Sequence, residues 1–198
     1  ANGTRRDRVP AYARRVVADP ETNDYAAQIW LPETVGQGYA WTSRVPQRNE
    51  ERGGLRVYEA HVGMASEEPR IGTYREFAET VLPRIAALGY NAVQLMAVQE
   101  HPYYASFGYH VSSFFAPSSR FGTSEDLKFL VDTAHGLGLR VLLDLVHSHA
   151  VKNINEGLND FDGSGAGYFH AGSRGQHPAW DSLLFDYAKP DVLRFLLS

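Results

Sequence analysis

The feature that most limits how this chain can fold is an alternation of patterns that begins at Leu55. "LRVYEAHVGM" (55–64) is rich in β-branched and aromatic residues and reads as a strand. "TYREFAETVLPRIAALG" (73–89) places Phe77, Val81, Leu82, Ile85 and Leu88 at helical spacing and stops at Gly89; Pro83, inside the pattern, is expected to bend or break the helix. "NAVQLMAV" (91–98) is a second strand, followed by a long aromatic loop from Gln99 to Gly122. "TSEDLKFLVDTAHGLG" (123–138) is a helix with Thr123 as N-cap, Asp126 three residues on and a glycine stop. "LRVLLDLV" (139–146) is the third strand. After a Gly-, Asn- and His-rich excursion from Ala150 to Lys189, "PDVLRFLLS" opens a third helix with Pro190 in its first turn.

Strand and helix in turn imply an α/β fold with a parallel sheet and helices outside it. An open doubly wound sheet that binds a dinucleotide would show a Gly-rich turn after a strand, and none is present. Polar residues cluster after each strand instead: His61 and Gly63; Gln99, Glu100 and His101; His147 and His149. A (β/α)8 barrel builds its site at those strand ends, so the pattern favours three βα units of a TIM barrel. Such a barrel needs about 250 residues, so residues 55–198 read as its N-terminal part within a larger protein. Residues 1–54 are Pro-, Gly- and Arg-rich with short strand-like runs ("YARRVV", "AAQIW") and read as the end of a preceding β domain plus a linker.

Composition narrows the function. A net charge of -4 gives no reason to expect nucleic acid, no run of eighteen apolar residues predicts a membrane span, and the absence of cysteine excludes disulfides and thiolate chemistry. The basic start is not read as a transit peptide, because it carries Asp7 and Asp19 and no serine. Eleven tyrosines suit sugar or peptide surfaces as well as core packing.

Two stretches could carry chemistry. Asp144 lies within an apolar run that ends in His147-Ser148-His149. A buried carboxylate must be paired or must neutralise, so three readings stand: a metal site, a carboxylate and imidazole holding a polar substrate, or a structural aspartate beside two loop histidines. The second stretch, "YYASFGYHVSSFFAPSSRFG" (103–122), offers aromatic faces that would stack on sugar rings, or pack on one another over a barrel rim.

Together these strings, with "GLNDFDG", "YFH" and "GSRG" further on, resemble the α-amylase superfamily, and more closely its starch- and glycogen-branching enzymes. The resemblance is strong over 55–198. It implies a β-sandwich carbohydrate-binding module ending at residues 1–31, a linker at 32–54 and the first part of a catalytic (β/α)8 barrel. It also implies retaining transglycosylation on α-glucans such as amylose, amylopectin or glycogen, with no cofactor, in the cytoplasm or plastid stroma. In "DLVHSH", Asp144 matches the aspartate that orients the site and His149 the histidine that hydrogen-bonds the sugar at the cleavage subsite; in "FGYH", Tyr109 matches the tyrosine that stacks under that sugar. Ser148 stands where many amylases have a calcium-ligating asparagine, so no calcium is expected there, and "DYA" (186–188) departs from the usual Asn-Tyr-Gly. The resemblance places the nucleophile and the acid/base beyond Ser198. It therefore implies part of an active site without its catalytic pair, and these 198 residues alone are expected to be inactive. Two other readings are a metal-dependent hydrolase using Asp144, His147 and His149, and a non-catalytic glucan-binding piece.

Overall fold

The computed structural model describes residues 5–31, 38–47 and 54–198. In chain order the strands are β1 (Val16–Ala18), β2 (Tyr25–Ala27), β3 (Val57–Ala60), β4 (Ala92–Leu95), β5 (Gln99–Glu100), β6 (Ser113–Pro117), β7 (Arg140–Leu143), β8 (His149–Val151), β9 (Gln176–His177) and β10 (Ser182–Leu184). The α-helices are α1 (Tyr74–Glu76), α2 (Leu82–Ala87), α3 (Ser124–Gly136) and α4 (Pro190–Leu196). Contacts divide the chain into two compact units: residues 29–98 with 117–144, and residues 1–28 with 99–116 and 145–198.

The first unit holds the alternating pattern. β3, β4 and β7 form a parallel sheet in the order β3-β4-β7, in register from Val57↔Ala92↔Arg140 to Ala60↔Leu95↔Leu143. Parallel neighbours require helical crossovers, and the sequence supplies them, with the expected cap at Thr123 and a second at Thr73. Thr73 and Glu76 form one capping box and Thr123 and Asp126 another, each satisfying two N–H groups that the first helical turn leaves open. Gly138 takes φ 77 just past α3, a conformation costly for any residue with a Cβ, and turns the chain into β7. Tyr74, Phe77, Leu82, Ile85, Val93, Leu95, Leu130 and Leu139 are all buried.

Three expectations change here. The helix from Thr73 is not simply kinked at Pro83: Phe77–Val81 is a π-helical turn between α1 and α2, and Leu82 N–H reaches Phe77 O. Pro83 has no N–H to give, and its ring would strike the carbonyl four residues back in an α-helix; the wider turn just before it relieves both conditions. The first strand is also shorter than read, because His61 accepts the Met64 N–H on Nδ1 and caps a 3-10 turn over Val62–Met64. The third strand ends at Leu143, and Leu142, Leu143 and Leu145 are exposed, since β7 is an edge strand among the described residues. Asp144 therefore follows the strand and is half-buried rather than enclosed by it.

A polar anchor fixes the approach to this unit. Asp132, buried in α3, accepts from the Tyr39 hydroxyl at 2.8 Å, the Thr42 hydroxyl at 2.7 Å, the Thr42 N–H at 3.0 Å and the Ser43 N–H at 2.7 Å. Burial alone would raise its pKa; these donors outweigh burial and hold the carboxyl well below the usual range. Burial, then the bond to Asp132, pushes the Tyr39 hydroxyl up to about 12.

The second unit turns the aromatic loop and the Gly-rich excursion into antiparallel pieces. β1 pairs with β2, β5 with β6, and β10 lies between β8 and β9. The excursion looked unstructured because two of its strands are only two and three residues long, too short to show periodicity. Phe195 of α4 is ringed by Tyr12, Phe114, Phe115 and Tyr168 with centroids 5.0–5.7 Å apart, so this end of the helix has the neighbour its apolar face needs. The linker expected at 32–54 falls partly outside the described residues, at 32–37 and 48–53, as do residues 1–4 of the expected module.

Candidate functional site

The second unit contains a cavity of about 690 Å³, lined by Tyr103, Ser106, Tyr109, His110, His149 and Trp180 with Ala105, Ala179 and Asp181. That volume lies within the roughly 300–1,000 Å³ of sites that enclose small molecules.

Its first wall is built from local hydrogen bonds. Tyr104–Ser106 forms a 3-10 turn, and the chain leaves it through two left-handed residues, Phe107 at φ 54 and Gly108 at φ 90. The second positive φ is why a glycine precedes Tyr109: a side chain there would be strained. The turn lets Tyr109 N–H donate to Ser106 O at 3.0 Å, while the Ser106 hydroxyl donates to Tyr103 O at 2.7 Å and accepts from His110 N–H at 3.3 Å. Tyr109 is thus held half-buried and Tyr103 well exposed on a short, bonded turn.

The second wall is the β8–β10–β9 sheet. His149 begins β8, is buried, and pairs across the sheet with Leu184. The Ser148 hydroxyl lies 2.8 Å from His149 Nδ1, and the Tyr109 main chain hydrogen-bonds to the ring, so Tyr109 and His149 are joined directly. Burial lowers the His149 pKa, and His110 and His177 lower it further against the Tyr109 bond, which favours the neutral ring. The turn from β9 to β10 carries Trp180, whose ring is 5.1 Å from that of His149.

Of the expected site residues, the structure brings Tyr109 and His149 to one cavity. Asp144 belongs to the other unit, one residue past β7, where its N–H donates to Leu95 O at 3.1 Å. His147 packs on Phe114 with centroids 6.5 Å apart, its carbonyl accepts the Tyr187 hydroxyl, and burial lowers its pKa. Ser198, the boundary beyond which the catalytic pair is expected, has no place in the cavity. It is exposed, and its hydroxyl donates to Arg194 O at 2.5 Å, closing one of the carbonyls that the last turn of α4 leaves open. Among the described residues no group of three or more His, Cys, Asp or Glu side chains is placed to hold a metal ion. Gln99 and His101, polar residues noted after the second strand, have architectural bonds. Gln99 donates to Phe114 O at 2.9 Å and accepts from Val146 N–H at 3.0 Å; His101 Nδ1 lies 2.8 Å from Gln99 O. Sequence reasoning missed Trp180, Tyr103 as a wall residue, and Ser106. For Trp180 the signal was "HPAWD", a tryptophan between proline and aspartate; Tyr103 and Ser106 lie in the aromatic stretch at 103–122 already noted.

Chemically, the cavity offers aromatic faces, a buried imidazole and the Asp181 carboxylate, the last held by Lys152 Nζ at 2.5 Å. Flat carbon faces beside hydroxyl-binding groups suit a ligand with an apolar face and a polar edge.

Comparison with known proteins agrees with this architecture. The chain is 56% identical over its whole length to the 1,4-alpha-glucan-branching enzyme of Yarrowia lipolytica, covering 28% of that protein. It is 54% identical over its whole length to the enzyme of the same name from Solanum tuberosum, covering 23% of it. The chain therefore spans roughly a quarter of the length of these curated relatives. Among solved structures, the catalytic module of the glycogen-degrading pneumococcal virulence factor SpuA overlays 96% of this chain and 32% of its own, with a TM-score of 0.74 at 16% identity, which is a likeness of fold. Residues 64–181 match the alpha-amylase catalytic domain, and the chain belongs to that family.

Proposed function

We propose that this chain is part of a 1,4-α-glucan branching enzyme and supplies part of its sugar-binding site. The whole protein would cut an α-1,4-glucan such as amylose, amylopectin or glycogen and pass the cut chain to a glucan 6-hydroxyl, with retention at C1. Residues 55–198 would form the first three βα units of a (β/α)8 barrel. Residues 1–31 would end a β-sandwich carbohydrate-binding module, and the protein would work in the cytoplasm or the plastid stroma. Tyr109 would stack beneath the sugar at the cleavage point, His149 would hydrogen-bond its hydroxyls and Asp144 would orient the site. The nucleophile and acid/base of the retaining mechanism would lie beyond Ser198.

The observation that carries this reading is the joining of Tyr109 and His149, forty residues apart, at one aromatic cavity. The names of the relatives support the same substrate class. A neutral, fixed imidazole suits the role, because it can exchange hydrogen bonds with hydroxyls without adding a charge. Amylose incubated with the full-length enzyme should gain α-1,6 linkages, read by debranching and chain-length profiling. The 198-residue chain alone should form none. A full-length enzyme that only hydrolyses amylose would overturn the transferase reading.

A further inference from the structure

The geometry points to Trp180 as a second sugar platform, binding the glucosyl residue next to the one at Tyr109 and His149. This rests on the α-glucan reading above and extends it from one sugar to two.

The first observation is the combination of exposure and fixation. Trp180 is 53% exposed, which leaves a large apolar ring in water. Yet it is not loose. The His177 imidazole stacks on the indole with centroids 4.2 Å apart and planes within 13°, and His177 Nδ1 accepts the Trp180 main-chain N–H at 3.2 Å. Pro178 starts the 3-10 turn between them, and Asp181, at φ 46, ends it. A backing ring on one face leaves the other for a ligand, and a pinned ring loses little freedom on binding.

The second observation is position. Trp180 lines the same cavity as Tyr109 and His149, and its ring is 5.1 Å from that of His149. A ligand leaving His149 along a glucan chain therefore meets the indole next. The chemistry agrees: a pyranose offers an apolar C–H face to an aromatic ring and hydroxyls at its edge. The adjoining Asp181 carboxylate, held through Oδ1 by Lys152, can accept from such hydroxyls. An exposed tryptophan that served only the hairpin would gain nothing from facing a cavity.

A platform one sugar away from the reacting bond holds substrate and transition state alike. Its loss should raise KM and leave kcat nearly unchanged. In the full-length enzyme, Trp180→Ala should raise KM for amylose about 5- to 150-fold, the range that loss of one aromatic stacking partner of a base gives. Trp180→Phe keeps a ring face and should stay within about 3-fold of wild type. Urea unfolding of both variants is the parallel readout. An unchanged KM in a folded Trp180→Ala enzyme overturns the inference and leaves the branching reading intact, and so does a lowered unfolding midpoint with normal KM. If the Ala variant does not fold, Trp180→Phe and Trp180→Leu decide: equal KM values for these two overturn it. An enzyme that neither binds nor branches amylose overturns both.

Discussion

Asp132 in α3 is a charged group almost sealed from water, whereas Trp180 on the β9–β10 turn is an apolar ring left 53% exposed. Each sits against its ordinary preference, and how each is compensated separates them. Asp132 receives four donors from Tyr39, Thr42 and Ser43, so its bonding capacity is used within the chain. Trp180 is stacked on by His177, has the His149 ring 5.1 Å away, and lines a cavity. A polar group whose partners are all supplied internally is architecture. An apolar surface fixed in place but left uncovered has capacity to spare for a ligand.

The largest effect that would sharpen this contrast is on stability. Asp132→Ala strands the Thr42 and Ser43 donors and should cost about 3–5 kcal/mol in urea unfolding of the full-length enzyme. Turnover per folded molecule should hold. The pH dependence follows from the sign of the shift. The folded carboxyl titrates below its unfolded value, so its stabilisation is complete above about pH 4 and drains away as pH falls toward the folded pKa. Asp132→Asn should remove that acid-side slope; an unchanged slope would break the architectural assignment.

Next in size are the proposed sugar contacts. His149→Ala and Asp144→Asn should each lower kcat about 10²–10³-fold in the full-length enzyme, the range for hydrogen bonds that strengthen in the transition state. Affinity for long glucans should barely change. Either variant with normal turnover would remove that residue from the site.

Tyr109 gives a smaller and more discriminating test. Tyr109→Phe retains the ring face and should keep most activity, while Tyr109→Ala should lower kcat/KM by about 1–3 kcal/mol. If Tyr109→Ala instead costs about 3–5 kcal/mol in folding with normal catalysis of the folded enzyme, Tyr109 belongs with Asp132 as structure.

The smallest effect is the imidazole's own titration. Burial holds His149 and His147 below the ordinary histidine pKa, so the unfolded chain binds protons that the folded one resists. Stability should therefore fall as pH drops below about 6.5, and His149→Gln should flatten part of that slope. A steeper slope in the variant would contradict the neutral-ring assignment.

The elements legible in the sequence were those whose cause is local. Thr73 and Thr123 cap helices through residues three positions away, Pro190 opens α4, and apolar spacing marks the faces that β4 and α3 bury. The "FGYH" and "DLVHSH" strings singled out Tyr109, Asp144 and His149 as expected site residues through resemblance to a known family, since spacing alone could not choose among sugar, metal and structural roles. Other features depend on partners distant in sequence. Asp132 is buried only because its partners come from residues 39–43, about ninety positions away. The β8–β10–β9 sheet has strands of two or three residues, with no periodicity to read, and exists only through cross-strand bonds. Asp144 lies one residue past β7 and half-buried because β7 stops at Leu143, a limit its own apolar run does not mark. Trp180 became a wall of the cavity only when that sheet set its ring beside His149. Sequence alone determined where the helices lie, the Thr123 cap and the parallel pattern, since these depend on residues within a few positions. Tertiary structure alone decided which polar groups are sealed and which rings stay open, since solvent exposure is set by what folds back from far along the chain.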